Sequence, residues 1–309
     1  MSSRFPTSPL IYGTMRMHGT FSAAEVDDGR RREAFAALDA AVEAGYSHFD
    51  HADIYAGGEC ERTFGMWLGR DASLRERVTI TTKCGIRWAG DADRCGQQPD
   101  GLEAPHRYDF SAEHIRWSCE RSLERLGVDV IDVYLLHRPD VLMEPDEVAG
   151  VFDELRSAGK VRHFGASNFT ASQVDLLQSR LDEPLVCNQI EVHPLRLSPF
   201  EDGTLDHHLR HGITPTSWSP VAGGRLFGEP ADEHTGRVMA ALDLEAEALG
   251  TTRFVVLLAW LMTHPSGILP IVGTRQPGRI RESAAAAELR LSREAWYRIY
   301  LAGRGKALP

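Results

Sequence analysis

Short apolar or β-branched runs alternate with helical stretches along the sequence, and this alternation limits the folds that the chain can adopt. Eight runs are predicted strands, over residues 10–12, 46–50, 78–83, 130–136, 161–164, 185–190, 213–218 and 268–272. Most of these runs are continuously apolar or β-branched rather than strictly alternating. Because such runs are typical of parallel strands covered on both faces, the sequence predicts a parallel sheet with helices packed against it.

Between the predicted strands, apolar residues recur at the spacing of amphipathic helices. The clearest stripes are Phe35, Leu38 and Val42; Ile115, Cys119, Ser122 and Leu126; and Val148, Val151, Phe152 and Leu155. Further helices are predicted over residues 171–181, 235–249, 252–263, 277–287 and near 293–301. Gly45, Gly127 and Gly159 follow helical stretches, where a left-handed residue commonly ends a helix.

Eight strands with eight helical crossovers and no linker predict one closed (β/α)8 barrel, the TIM-barrel fold, over residues 1–309. The alternative is an open, doubly wound sheet, which usually carries a glycine-rich turn after its first strand. Neither GxGxxG nor GxxxxGK occurs in the sequence, so the barrel is favoured. Residues 87–108 form a Gly-, Pro- and Asp-rich insert after the third strand. Loops of that length without periodicity are usually functional lids or disordered.

Composition limits the partners and the compartment. The 34 Lys and Arg against 44 Asp and Glu give a net charge of −10, which disfavours nucleic acid and anionic membranes as partners. The longest apolar run, residues 254–262, is too short for a membrane span, and residues 1–9 lack the apolar stretch of an export signal. The five cysteines have no CxxC spacing, which favours free thiols. We expect a cytoplasmic protein that binds a small molecule and has no obligatory protein partner.

Four polar residues of different chemistry follow neighbouring predicted strands. Asp50 ends the second strand, Tyr55 lies in the loop behind it, Lys83 ends the third strand, and His137 follows the fourth. In a barrel these positions converge on the face where active sites form. Each residue taken singly is equally well explained by a turn, by packing or by solvent contact. Together they predict a proton donor: an ammonium stabilises the phenolate, a carboxylate holds the ammonium, and an imidazole orients a carbonyl oxygen.

Seven motifs occur in order over nearly the whole chain. They are GYSHFDHADIYAGGECERTFG (45–65), TKCG (82–85), LLHRPD (135–140), GKVRHFGASNF (159–169), NQIEVHP (188–194), WSPVAGGRLF (218–227) and PIVGTRQPGRIRES (270–283). These motifs resemble the aldo-keto reductase family and, within it, the bacterial oxidoreductases of the YdhF type. The resemblance implies the same barrel and a reversible, NADPH-dependent reduction of an aldehyde or ketone to an alcohol.

The resemblance also implies roles for individual residues. It makes Tyr55 the general acid, Lys83 the group that lowers its pKa, Asp50 the partner of Lys83, and His137 the residue that positions the carbonyl. Contacts with NADP(H) are implied at Thr14, Met15, Asp50, Ser167, Asn168, Gln189, Trp218, Ser219, Gly223, Arg225, Thr274, Arg275, Arg279, Glu282 and Ser283. The insert offers Trp88, His106 and Tyr108 as possible substrate contacts.

Two positions depart from many relatives. Trp218 stands where a Tyr commonly stacks on the nicotinamide, and Gly273 stands where a Lys commonly contacts the adenosine 2′-phosphate. Arg279, near the start of a predicted helix, is the implied contact to that phosphate. A helix N-terminus presents free amides to an anion, and Arg275 and Arg281 lie close by in sequence. We therefore expect a preference for NADPH that is clear but not extreme.

Two other functions remain open from the residues. His48, Asp50, His51, Asp53, His137 and His193 lie in or near predicted strand ends, and such residues can hold a catalytic zinc ion, as in a metal-dependent barrel hydrolase. Lys83 and Tyr55 would then have no role, and we expect no metal. The second alternative is a non-catalytic regulatory protein that binds the cofactor on the same fold, because a fold does not determine a function.

Overall fold

Parallel strands close into a barrel in this computed structural model, which describes residues 8–91 and 103–309. The strands are β1 (Ile11–Gly13), β2 (His48–Asp50), β3 (Thr79–Cys84), β4 (Ile86–Arg87), β5 (Arg107–Tyr108), β6 (Ile131–Leu136), β7 (Val161–Ser167), β8 (Cys187–Glu191), β9 (Thr214–Trp218) and β10 (Leu269–Val272). The order around the barrel is β1-β2-β3-β6-β7-β8-β9-β10. Strand β1 closes it, because Ile11 pairs with His48 on one side and with Ile271 on the other.

Helices connect the strands along the chain. They are α1 (Asp28–Glu43), α2 (Glu59–Leu68), α3 (Ser73–Arg77), α4 (Ala112–Leu126), α5 (Pro145–Ser157), α6 (Ala171–Gln178), α7 (Ser198–Glu201), α8 (Thr204–His211), α9 (Glu233–Ala248), α10 (Arg253–Thr263), α11 (Pro277–Ala284) and α12 (Arg293–Arg304). Side-chain oxygens accept hydrogen bonds from free amides at several helix starts, as N-caps do. These caps are Asp27, Ser111, Thr170, Asp232, Thr252 and Ser292.

The predicted (β/α)8 barrel is confirmed, and every predicted strand coincides with a barrel strand. The largest difference is at β7, which extends through Gly165 and Ala166 to Ser167. These small residues do not form an apolar run in the sequence. They belong to the strand because β6 and β8 pair with them. A Cβ at Gly165 would lie 2.7 Å from the Cys187 carbonyl oxygen, so this close strand approach requires glycine.

Helix α2 was not predicted from the sequence. Its buried face includes polar residues, among them Glu61 and Thr63, so the apolar stripe is weak. Gly65 also lowers the helix propensity of the segment. In the structure a Cβ at Gly65 would lie 2.5 Å from the carbonyl oxygen of Arg125 on α4, so the glycine allows the two helices to pack closely. This close packing is a tertiary property that the local pattern does not contain.

An aromatic cluster joins the first two strands to α2. Tyr12 contacts Phe49, and Phe49 contacts Phe64 and Trp67, with ring centroids 5.1–6.0 Å apart. All four side chains are buried. Since burying each large aromatic side chain stabilises a fold by about 1.5–3 kcal/mol, this cluster holds the segment between β2 and α2 in place. That segment, residues 51–58, carries Tyr55.

The two ends of the insert pair with each other. Strands β4 and β5 form an antiparallel hairpin in which Arg87 is opposite Arg107. Arg87 also donates a 2.8 Å hydrogen bond to Asp109, and its side chain is buried. Residues 92–102, which include Cys95, lie outside the described residues. The other four cysteines are buried free thiols, as predicted: Cys60, Cys84, Cys119 and Cys187.

Within residues 8–91 and 103–309, no single helix has both the length and the apolar character of a membrane span. Helices α9 and α10 together meet the length and composition criteria, and they are bent by 97° at the break between them.

Candidate active site

A cavity of about 740 Å³ opens where the strands end in the loops that follow them. Its walls include residues 13 and 15–16 at the end of β1, 137–138 after β6, 167–168 at the end of β7, 218–221 and 223–224 at the end of β9, and 273–274 after β10. This volume lies in the range of about 300–1,000 Å³ that is typical of ligand sites. A second cavity, near the start of β3, is lined by none of the predicted site residues.

The four predicted catalytic residues meet at this cavity. The Nζ atom of Lys83 lies 2.7 Å from Oδ2 of Asp50, 2.6 Å from the carbonyl oxygen of His51 and 3.3 Å from Oη of Tyr55. The ring of His137 lies edge-on to the ring of Tyr55, with centroids 5.9 Å apart. Asp50, Tyr55 and His137 line the cavity, and Lys83 lies buried behind them.

Burial and the charge pair act in opposite directions on the proton donor. Burial raises the pKa of Tyr55, and the ammonium of Lys83 acts against this increase. Burial by itself lowers the pKa of Lys83, but the Asp50 carboxylate and Tyr55 outweigh it, so the net pKa is raised. Lys83 therefore stays cationic, and its charge favours the phenolate form of Tyr55 over what burial alone would allow.

The imidazole of His137 is neutral at physiological pH. Burial lowers its pKa well below the usual value, and the positive charges of Lys83 and Arg138 add to this effect. Its Nδ1 atom is buried without a hydrogen-bond partner among the described residues. A neutral imidazole can donate a hydrogen bond but is a very weak acid, so His137 is better suited to orient an acceptor oxygen than to supply a proton.

The predicted nicotinamide contacts form a hydrogen-bonded group beside the catalytic residues. The indole Nε1 of Trp218 donates to Oδ1 of Asn168 over 2.9 Å, and Nδ2 of Asn168 donates to Oγ of Ser167 over 2.8 Å. Gln189 donates from Nε2 to Oδ1 of Asp50 over 2.8 Å. Gln189 thus joins this group to the charge pair, a link that the sequence did not indicate.

Residues predicted to bind the adenosine part of the cofactor line another part of the same cavity. Thr274, Arg279 and Glu282 all lie in its wall. Arg279 belongs to α11, whose N-cap residue Gln276 makes no side-chain cap hydrogen bond. A helix start with free amides and a guanidinium is suited to a phosphate dianion. The residues present therefore fit NADP(H).

The cavity loops contain strained backbone. Among the described residues, the non-glycine residues with positive φ are Ala56, Asn168, Ser219 and Ala222, all in segments that border the cavity. The backbone angle φ changes sign from −99° at Val221 to +55° at Ala222. Such a change between neighbouring residues turns their N–H groups into a concavity that binds anions. Strain of this kind is concentrated at functional sites. It supports a phosphate contact at residues 219–224, where Ser219 and Gly223 were predicted and line the cavity.

Several predicted cofactor contacts do not line the cavity. Thr14 is buried and bonds the Asp50 carbonyl oxygen, and Ser283 is buried against the hydroxyl of Tyr46. Arg275 forms an ion pair with Glu33 on α1. Arg225 is exposed and donates to a carbonyl oxygen of its own loop. Met15 does line the cavity.

The three predicted substrate contacts lie on the hairpin of the insert. Trp88 packs against His106 with ring centroids 5.0 Å apart, and His106 packs against Tyr108. None of these three side chains lines the cavity, whereas Ile86 of the same hairpin does. The sequence analysis missed Arg16, Arg138, Phe227 and Phe254, which also line it. The position of Arg138 directly after His137 was the available signal.

The histidines considered as zinc ligands have other contacts. His51 bonds to Thr14, and His48 bonds to Thr81. In the part of the chain that the structure describes, the group with metal-ligand spacing is Asp175, His207 and His211, on α6 and α8. None of these three residues lines the cavity.

Comparisons with known proteins identify the family of this chain. The Aldo/keto reductase family matches residues 9–301. A 6-dehydroglucose reductase of Novosphingobium aromaticivorans is 40% identical over 99% of this chain and 95% of its own length. Oxidoreductase YdhF of Escherichia coli is 38% identical over 90% of each chain. An aldo-keto reductase from Klebsiella pneumoniae, solved in complex with NADPH, has a TM-score of 0.75 and 25% identity, covering 95% of this chain and 90% of its own. The chain therefore belongs to the aldo/keto reductase family, which confirms the family predicted from its motifs.

Proposed function

We propose that this chain reversibly reduces an aldehyde or ketone to an alcohol, with NADPH as the hydride donor and Tyr55 as the proton donor. The observation that carries the proposal is the buried Lys83 ammonium, 2.7 Å from Asp50 and 3.3 Å from Tyr55 Oη, at the wall of the cavity. Burying a pair of charges costs free energy of folding, and groups with such perturbed environments are concentrated at functional sites. The buried pair beside the phenol of Tyr55 therefore supports a role of that phenol in proton transfer.

NADP(H) is the cofactor, and when bound it supplies the hydride or accepts it. A similar solved structure is a complex with NADPH, and the wall of the cavity here offers Arg279 for a 2′-phosphate. Asn168 and Gln189 offer amide groups to the carboxamide, and Trp218 offers a ring face to the nicotinamide.

The residues of this chain divide the work of proton transfer. His137 donates a hydrogen bond to the substrate carbonyl oxygen and so orients the carbonyl carbon. Tyr55 gives its proton to that oxygen as the carbon accepts the hydride, and an alcohol results. Lys83 stabilises the phenolate that remains, while Asp50 keeps Lys83 charged and in place. In the reverse direction the phenolate accepts the proton from the alcohol.

The relative with 40% identity is named 6-dehydroglucose reductase, so 6-dehydroglucose is the first substrate to test. The experiment is a carbonyl panel that includes it, followed by loss of NADPH absorbance and identification of the product. We expect at least one member to be reduced, and the rate to fall in Tyr55→Phe.

Tight NADPH binding without reduction of any carbonyl in the panel would favour the non-catalytic alternative. Activity that disappears with a chelator and returns with zinc would favour the metal-dependent hydrolase.

A further inference from the structure

Arg138 lies at the catalytic part of the cavity. It follows His137 directly in the chain, its side chain is partly buried, and it lines the same cavity as Tyr55. Its guanidinium carbon lies 5.2 Å from the centre of the Trp218 ring. The hydrogen bond between Trp218 and Asn168 holds the indole, and the indole in turn holds the guanidinium at one of its faces.

Within residues 8–91 and 103–309, no carboxylate lies within ion-pair distance of Arg138. Two other arginines at or near the cavity walls have such partners, since Arg253 pairs with Asp243 and Arg87 pairs with Asp109. Arg16 also lines the cavity without a carboxylate partner among the described residues, but its side chain is exposed. A guanidinium has five N–H donors and no acceptor, and within the same described residues no side chain or carbonyl oxygen accepts a hydrogen bond from Arg138. Arg138 therefore presents donors to the contents of the cavity.

Arg279 has no carboxylate partner in the described part of the chain either, but it lies on α11 beside Thr274 and Glu282. Arg138 lies beside His137 and Trp218 instead. The two arginines thus serve different parts of the cavity. A phosphate near Arg279 leaves Arg138 to the molecule whose carbonyl His137 orients.

We propose that Arg138 binds oxygen atoms of the substrate close to the reacting carbonyl, so that the site selects aldehydes or ketones bearing hydroxyl groups or a carboxylate. This inference rests on the proposed function, and it names the substrate class of that same site. A planar guanidinium can donate two parallel hydrogen bonds to a carboxylate or to vicinal hydroxyls.

The test compares substrates of equal chain length. Glyceraldehyde and propanal differ by two hydroxyl groups, and succinic semialdehyde and butanal differ by a carboxylate. The variants are Arg138→Met, which removes the donors, and Arg138→Lys, which keeps the charge without the planar fork. Arg121→Met is the matched control, because Arg121 also stacks on an indole, that of Trp117, on the outer helix α4.

We expect kcat/KM of Arg138→Met to fall about 10- to 100-fold for the hydroxylated or the carboxylated member of a pair, because a hydrogen bond to a charged group contributes a factor of about this size. The plain aldehydes should change by less than about threefold, since they offer no such acceptor. The pair with the larger loss identifies whether hydroxyls or a carboxylate is recognised. Arg121→Met should leave all four substrates unchanged.

Two results would overturn the inference while the proposed function stands. The first is an equal loss for both members of each pair. The second is weaker NADPH binding in Arg138→Met, measured by fluorescence quenching, because Arg138 would then position the cofactor through Trp218.

A binding measurement separates this inference from the proposed function. D-Glycerate, which carries hydroxyls and a carboxylate, is titrated calorimetrically into the enzyme with NADP+. We expect binding that weakens at least about tenfold in Arg138→Met. Binding of that kind without reduction of any carbonyl would refute the proposed function and support the recognition site. Equal binding by both proteins, or no binding by either, would refute the site.

Discussion

The Nζ atom of Lys83 donates a 2.7 Å hydrogen bond to Oδ2 of Asp50, and solvent reaches almost none of either side chain. Two charges buried at this depth are stable only because each satisfies the other and because further groups complete their hydrogen bonds. Gln189 does so for Asp50, and the His51 carbonyl oxygen does so for Lys83. The pair is therefore rigid, and it holds a fixed positive charge beside Tyr55.

Replacing Tyr55 by Phe removes the proton donor and keeps the ring. General acid catalysis contributes about 10²–10⁴-fold, and we expect kcat to fall by at least that factor. NADPH affinity and the melting temperature should stay close to those of the wild type, which fluorescence titration and thermal unfolding will check. A variant that keeps more than about a tenth of the activity would assign the proton to another group, and His137 would be the first candidate.

The charge pair predicts non-additive losses. Lys83→Met removes the cation that favours the phenolate, and Asp50→Asn weakens the same effect through Lys83. We expect both single variants to lose activity, and we expect Lys83→Met to shift the alkaline limb of the pH–rate profile upward, because the ammonium of Lys83 lowers the pKa of Tyr55. In the double variant the loss should be clearly smaller than the product of the two single losses. A loss equal to that product would mean that the two residues act independently.

Arg279→Ala tests the contact to the 2′-phosphate. A hydrogen bond to a charged group contributes about 1.5–3 kcal/mol, so KM for NADPH should rise about 10- to 100-fold. KM for NADH should barely change, because its ribose hydroxyl carries no charge. The matched control is Arg281→Ala on the same helix, where the guanidinium pairs with Glu43 on α1 instead of lining the cavity. Equal losses with both cofactors would mean that Arg279 supports the fold or the adenine.

Buried histidines predict that the fold is sensitive to acid. Burial lowers the pKa of His18, His193 and His208 to about 4, against 6.5 for an ordinary histidine. Between these values the unfolded chain binds protons that the folded chain does not, so stability is greatest above pH 6.5 and falls as the pH drops toward 4. Asp53 acts in the opposite sense, because burial raises its pKa to about 7 and favours the folded state at the acid end of that window.

Among the described residues, eight histidines have a lowered pKa, these three included, whereas Asp53 is the one carboxyl group with a raised pKa. We therefore expect the melting temperature to decrease by several degrees between pH 6.5 and 4.5. His208→Gln is the informative variant, because glutamine can still accept the 3.1 Å hydrogen bond from Asn188 without taking up a proton. It should reduce the acid sensitivity. A melting temperature that is constant or rises on acidification would contradict the burial of neutral imidazoles.

The local sequence pattern was sufficient to predict the barrel strands, but it did not predict the elements that depend on close contacts between distant parts of the chain. A strand covered on both faces has a continuous apolar run, and so each barrel strand was visible in the sequence. Helix α2 was not visible, because its buried Glu61 is satisfied by Thr82 and Arg125, which lie far along the chain. The hairpin β4–β5 was missed for the same reason, since a two-residue strand is defined only by its partner.

In the candidate site, too, the sequence predicted which residues lie close together but not what each of them contacts. The three arginines predicted near one helix turn have different surroundings. Arg279 faces the cavity, whereas Arg275 and Arg281 pair with Glu33 and Glu43 on α1. Arg275 precedes α11, and Arg279 and Arg281 point in different directions around it. The position of α1 against them therefore determines which of the three form ion pairs.

The sequence by itself determined the barrel and the convergence of Asp50, Tyr55, Lys83 and His137, because strand ends meet on one face of any such barrel. It did not contain the distances between these groups, the hydrogen bond of Gln189 to Asp50 or the position of Arg138 over Trp218. Those contacts join residues that lie 139 and 80 positions apart. They exist because closing the barrel brings distant strands together, and burial then turns ordinary side chains into a charge pair and a neutral imidazole beside a guanidinium in the cavity wall.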